Sequence, residues 1–412
     1  MRWNIQRVRG EDEALVLRGN LGKVATFLRM KILIASGVRR VREAGAAGVV
    51  FYHAEGLQKL GHRVETWFFD DVLPNTKWPP KFQDLEFAST ISRRIRKEPG
   101  RFDVVNLHAP WGCVYGISRS MFPSSELPPY VFTMQGSEER YALAMKLEAK
   151  KGRATNFSRK NRAWHRLYHQ TMYDFSISKA DFGAVANREG WILSELKYGH
   201  VPGRVWYVPN GTEASFFRER SFGEGPAQKL LYVGTWLDRK GVFYLAEAFG
   251  MLAARMPELT LTIAGCLMPE EMVKKDFPEQ AQARLTVISK VSRGDMPGLY
   301  AAHDVLVFPS LVEGMPLTML EAMATAMPVV TTNTCGMADV LEDGVNGLLV
   351  PLADSAELAR VVEGICKAAE FRRGIGIAGQ VTARRYTWDL ISRRMEHVLT
   401  MAVEEKRASA RW

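Results

Sequence analysis

Two glutamates stand eight residues apart in an otherwise apolar run, "PSLVEGMPLTMLEAMATAMPVV" (residues 309–330), as Glu313 and Glu321. An unpaired carboxylate is costly to bury, so each needs a partner or a ligand. Pro316 suits the first turn of a helix, where its missing N–H costs nothing. The spacing therefore predicts a helix from Pro316 to about Thr325. Leu320, Met323, Ala324 and Met327 then form one apolar stripe, with Glu321 outside it and near the first-turn N–H groups of Leu317 and Thr318. Such N–H groups suit a phosphate. A carboxylate one turn along, about 5.4 Å further, suits a pair of hydroxyls. A nucleoside diphosphate offers both, and Glu313 in the preceding loop would face a sugar on the outer phosphate. The spacing also admits a plainer reading, a solvated glutamate stabilised by the helix dipole.

The surrounding pattern supplies strands to position these groups. From Met30 onward, "KILIAS", "HRVETWFF", "DVVNLH" and "YVFTMQ" read as strands with helical segments between them. A break falls at "VWYVPNGTEASFF", where Asn210-Gly211 signals a turn. The alternation restarts with "KLLYVG", "LTLTIAG", "RLTVI", "HDVLVFPS", "MPVVTT" and "NGLLVP". Strands alternating with helices indicate parallel sheets covered on both faces. The expectation is an α/β protein with two doubly wound Rossmann-like domains, residues 30–209 and 210–386, facing a central cleft. Residues 387–412 read as a long amphipathic helix packing back on the first domain. Residues 1–29 read as an extension, disordered or the product of a start assigned too early. Ligands of such sheets bind beyond the strand C-termini.

At the two glutamates the chain resembles the retaining GT-B glycosyltransferases, specifically their family four of group 1 glycosyl transferases. That family carries two glutamates separated by seven residues, followed by "EAMA-x-G-x-PVV"; here the run is "EGMPLTMLEAMATAMPVV". "LGHRV", "VPNG", "VGTWLDRKG" and "EDGVNGLLVP" keep the family's order, so the likeness runs from Met30 to the C-terminus. The resemblance implies a GT-B fold and transfer of a sugar from a nucleotide-sugar held by the second domain to an acceptor held by the first, with no cofactor and no essential metal. It implies that Glu321 holds the donor ribose and Glu313 the donor sugar. Leu317 and Thr318, with Gly314, would meet the phosphates, Lys240 would neutralise the diphosphate, and Val291 would lie near the base. Gly48, in an "AGAAG" stretch that reads either as a loop or as an ordinary helix start, would as a loop let the first domain approach the donor phosphate.

Two departures stand out. The family's Arg after the glycine of the "VG" strand is Thr235 here, following Gly234, which leaves Arg239 as the candidate second cation. The family's His in the segment after the fourth strand is Gln135, which hydrogen-bonds but carries no proton charge near neutral pH. His108 ends a strand and reads either as a cleft residue or as a structural hydrogen-bonder. Asp70-Asp71 reads as a loop rather than a metal site. Rival readings are a sugar-nucleotide epimerase and a non-catalytic sugar-nucleotide-binding or assembly protein of the same fold.

The totals bound the partners. The 412 residues carry 55 Lys and Arg against 45 Asp and Glu. That balance favours anionic partners without choosing among them. Between Lys146 and Arg166 eight cations stand against Glu148, with Phe157 and Trp164 interleaved. This stretch reads as a contact for an anionic membrane surface or a lipid-linked acceptor, with a solvated insertion as the bland alternative. No recognition motif accompanies the charge, so nucleic acid is not expected. The four cysteines form no CxxC pair. No apolar run reaches the length of a membrane span, and the expected location is cytoplasmic, peripheral on the inner membrane face.

Overall fold

The computed structural model describes residues 29–43, 45–153 and 158–409, with Arg159 described by its backbone alone. The expectations for residues 1–28, Ala44 and Phe157 lie outside the described residues. The first sheet comprises β1 (Lys31–Ala35), β2 (Arg63–Trp67), β3 (Val104–His108), β4 (Tyr130–Met134), β5 (Phe182–Val185) and β6 (Val205–Tyr207). Its order is β2-β1-β3-β4-β5-β6, and every pairing is parallel. The second sheet comprises β7 (Lys229–Val233), β8 (Thr260–Ala264), β9 (Leu285–Ile288), β10 (Val305–Phe308), β11 (Val329–Thr332) and β12 (Leu348–Val350). Its order is β12-β11-β10-β7-β8-β9, again all parallel.

Helices cover both faces of each sheet, which is why central strands such as β3, β4 and β10 are buried along their whole length. Two strands were not legible from the pattern. β6 falls inside the stretch read as the domain break. β5 contains Gly183, a poor strand former, because a Cβ there would lie 2.2 Å from the Phe132 ring. The Asp70-Asp71 pair lies not in a loop but in the one-turn helix Phe69–Val72, against Arg39 and Arg40.

Each sheet reverses its winding once, the first between β1 and β3 and the second between β7 and β10. Those reversals open crevices beyond the strand C-termini. The helix Trp388–Ser409 lies on the first domain, where Ile391, Met395, Val398 and Leu399 share a core with Ile32, Val50, Leu57 and Val104. The chain therefore crosses between domains twice, and the crossings are joined. Thr212 N donates to Tyr386 O at 2.7 Å, and Trp388 N donates to Thr212 O at 3.3 Å. Gly211 is required there, since a Cβ would lie 2.8 Å from Trp388 N. Among the described residues, no helix is long and apolar enough to cross a membrane.

Candidate active site

The loops after β7 and β10 meet at the reversal point of the second sheet, and they bring Lys240, Arg239 and Glu313 together. Gly241, with φ of +69°, lets the β7 loop press against Pro309, whose carbonyl oxygen would lie 1.9 Å from an added Cβ. Lys240 Nζ forms an ion pair with Glu313 Oε1, and Arg239 Nη1 stands 3.5 Å from the same oxygen. Ser310 Oγ donates to it at 3.0 Å. Burial is the largest influence on the Glu313 carboxyl and pushes its pKa up. Lys240 and then Arg239 outweigh it and hold the group below the usual carboxylate range. Burial in turn lowers the Lys240 ammonium, against the pull of Glu313. The two cations expected at a diphosphate thus face a carboxylate.

Gly314 is one of the points where the domains touch. A Cβ on it would lie 1.3 Å from the carbonyl oxygen of Gln135, at the C-terminal end of β4. Its own carbonyl accepts from Gly336 N at 3.0 Å and from Asn187 Nδ2 at 3.3 Å. Asn210 Nδ2 donates to the next carbonyl, Met315 O, at 2.7 Å. The structure therefore brings half-exposed Gln135 beside the Glu313 loop. Gly234 closes β7 with φ of +147°, and the Thr235 carbonyl accepts from Tyr232 at 3.0 Å.

The helix after this loop is Leu317–Ala324, with Pro316 as its N-cap rather than its first helical residue. Leu317 and Thr318 keep the first two positions, whose N–H groups have no intrahelical partner. The expectation for Glu321 requires correction. It is 2% exposed, not solvated or aimed at the N–H groups of the first turn. Arg293 Nη1 donates to Glu321 Oε1 at 2.5 Å, and Tyr300 Oη donates to Oε2 at 2.9 Å. Arg293 Nε also donates to Glu213 at 2.8 Å, and the guanidinium lies over the Phe216 ring at 4.7 Å. The sequence reading missed Arg293, two positions beyond Val291, because nothing local couples it to Glu321. Val291 itself packs against the second core.

At two further positions the fold chooses between the readings. Gly48 lies at a helix start, in the first turn of Gly45–Lys59, with the Arg42 carbonyl 3.1 Å from an added Cβ. His108 is 4% exposed rather than open to the cleft. Burial, then the neighbouring His53, lowers its pKa to about 3, so its imidazole is neutral near pH 7. The basic stretch is also partly committed. Lys151 Nζ donates to Tyr244 Oη at 2.8 Å, Tyr244 Oη donates to buried Glu148 at 2.5 Å, and Arg153 pairs with Glu247. These bonds clasp the first domain to the helix Val242–Arg255 of the second.

Residues 227–367 match the family model described as "Glycosyl transferases group 1". The chain is 24% identical over 321 residues to the phosphatidyl-myo-inositol mannosyltransferase of Mycolicibacterium smegmatis, covering 76% of this chain and 75% of that protein. It is 32% identical over 185 residues to a D-inositol 3-phosphate glycosyltransferase of an Arthrobacter species, covering 42% of this chain and 43% of that protein. Several such relatives are matched over less than half of their own length. Anabaena HepE in complex with UDP-glucose superposes with a TM-score of 0.66 at 17% identity, over 90% of this chain and 100% of that one.

Two outcomes follow from the interface. Gly314→Ala cannot be accommodated against Gln135, so it should lower kcat/KM about tenfold or more while far-UV circular dichroism stays unchanged. An active variant would refute the contact. Asp339 accepts Arg188 N across the interface at 2.7 Å, and burial pushes its pKa up to about 6. A raised folded pKa means the native state holds this proton more tightly. Its contribution is therefore fully present below the unfolded value and lost as pH rises through about 6. Asp339→Asn keeps a carbonyl acceptor without the charge, so Tm should rise at about pH 7.5 and rise by clearly less at about pH 5. Equal shifts at both would contradict the assignment.

Proposed function

We propose that the chain, which has the GT-B fold, is a group 1 glycosyltransferase that moves a sugar from a nucleoside diphosphate to an acceptor hydroxyl with retention. The observation that carries the reading is the convergence of Lys240, Arg239 and Glu313 at the reversal point of the second sheet, beside the N-terminus of the helix Leu317–Ala324 and across from Gln135. The bond from the sugar's anomeric carbon to the diphosphate oxygen breaks while the acceptor oxygen bonds that carbon on the same face. The acceptor's proton passes to the departing phosphate oxygen. Lys240, Arg239 and the N–H groups of Leu317 and Thr318 stabilise the charge that grows on the diphosphate, and preorganised charges of this kind are commonly the largest catalytic contribution. This division of labour needs no metal.

Glu313 holds the donor sugar, and Gln135 approaches it from the first domain. Glu321 takes the ribose hydroxyls. A carboxylate has about four acceptor sites, so Arg293 and Tyr300 orient it without exhausting it. Val291 borders the base, with Gly234 and Thr235 at the rim.

We place the acceptor at an anionic membrane surface on the cytoplasmic side. Lys146, Lys150, Lys160 and Arg166 remain exposed, with Leu143, Leu147 and Leu167 exposed beside them in the sequence. Exposed cations with apolar neighbours suit an anionic interface.

Assays in EDTA should proceed at the rate seen without it. Under those conditions Glu321→Gln should raise donor KM, and Lys240→Met should lower kcat/KM about tenfold or more. Unchanged kinetics in both variants would sink the site, and donor binding without transfer or hydrolysis would favour a non-catalytic protein. Co-sedimentation with phosphatidylcholine vesicles should be weak, and phosphatidylglycerol should strengthen it in a salt-sensitive way. Equal binding to both vesicle types would remove the anionic surface from the model.

A further inference from the structure

Arg293 reaches Glu321 from the loop after β9, and its long side chain is held from three directions. Glu213 Oε2 accepts from Nε at 2.8 Å and lies 2.5 Å from Nη2. The Phe216 ring lies 4.7 Å from the guanidinium. It also packs edge-on, at 5.9 Å, against Tyr300, the other donor to Glu321. Glu213 and Phe216 both follow the domain crossing at Thr212. The third support comes from the first domain. Tyr52, on the helix Gly45–Lys59, places its ring 5.7 Å from the Arg293 guanidinium and its hydroxyl beside Glu213. Burial raises the pKa of that hydroxyl, with Arg293 pulling it down and Glu213 pushing it up, so the phenol is neutral near pH 7. Tyr52 is itself fixed. It is buried, and its ring stacks at 4.6 Å on Trp388, which meets Thr212 at the second crossing. Arg42 also lies 5.7 Å from the ring, but it is paired with Glu55 and does not displace Arg293.

Resting on the assignment of the donor ribose to Glu321, we propose that Tyr52 is a positioning residue for the donor, acting on the ribose from the opposite domain through Arg293. A carboxylate that grips two hydroxyls must be placed to within about 0.5 Å. Arg293 Nη1 and Tyr300 Oη take one acceptor site on each oxygen of Glu321, and the remaining sites are aimed by those two bonds. The aim is only as firm as the hold on the guanidinium. Ion pairing to Glu213 fixes one edge of that plane, and the rings of Phe216 and Tyr52 fix its faces. Tyr52 is the partner that reaches across the boundary. Lys240, Arg239 and the N–H groups of Leu317 and Thr318, assigned to the phosphates, stand outside this chain of contacts. Loosening Tyr52 should therefore weaken the hold on the ribose and spare the hold on the diphosphate.

The test is calorimetric titration of the full chain with UDP, GDP and ADP, and then with the 2′,3′-dideoxy form of whichever binds most tightly. The wild type should prefer the ribonucleotide, and Glu321→Gln should abolish that preference. Tyr52→Leu should weaken the ribonucleotide about tenfold and leave the dideoxy form within about twofold of its wild-type affinity. Tyr52→Phe keeps the ring against Arg293 and Trp388, so its ribonucleotide affinity should stay within about threefold of wild type. Glu213→Gln loosens Arg293 from its other side and should repeat the ribose-specific loss at about threefold, which keeps the test open if Tyr52→Leu folds poorly. Far-UV circular dichroism without nucleotide checks the fold of each variant. Equal weakening of both nucleotides marks a merely structural role, and that result or unchanged ribonucleotide binding would overturn the proposal. A wild type that binds none of the three, or a ribose preference that survives Glu321→Gln, would instead overturn the donor assignment, and the proposal with it.

Discussion

Two buried carboxylates at the C-terminal edge of one sheet impose the constraint on which the rest of the second domain depends. Neither can be ionised inside the protein without an opposite charge close by. Glu313, after β10, is matched by Lys240 from the loop after β7. Glu321, in the next helix, is matched by Arg293 from the loop after β9. Three loops leaving three parallel strands are thereby fixed against one another. Removing one member of such a pair leaves a buried charge uncompensated, at a cost of several kcal/mol. The same arrangement holds cations in place before any anionic ligand arrives, so little reorganisation remains to be done when it does.

The domains meet around this edge through contacts that tolerate almost no side chain. Gly314 lies against Gln135, and within the second domain Gly336 packs behind Gly314, where an added Cβ would stand 2.1 Å from the carbonyl oxygen. Polar contacts then fix the register: Asn187 and Asn210 donate to successive carbonyls of the Glu313 loop, and Asp339 accepts from Arg188. The clasp of Glu148, Lys151 and Tyr244 adds a second anchor on another side of the same boundary. Close backbone approach and directional hydrogen bonds together specify one spacing between the two crevices.

Charge is distributed unevenly about that boundary. Lys240 and Arg239 are concentrated at the second sheet's reversal point, whereas Asp84 and Glu138 line a cavity at the first. The basic stretch belongs to neither crevice alone, since part of its charge is bound to the second domain and part is exposed.

The amino-acid order by itself settled the α/β alternation and its restart as a second sheet. These rest on local signals: apolar runs of strand length, a glycine that ends a loop, a proline at the mouth of a helix. It also located the Leu317–Ala324 helix to within one residue. Tertiary structure alone decided that Arg293 holds Glu321, that His108 is buried beside His53, and that Trp111 donates to Asp84. The partners in these pairs are separated by tens of residues, and their meeting depends on strand order and winding. Spacing along a chain reports what one helix or strand can present. It carries no record of which loop the opposite end of a sheet will bring alongside.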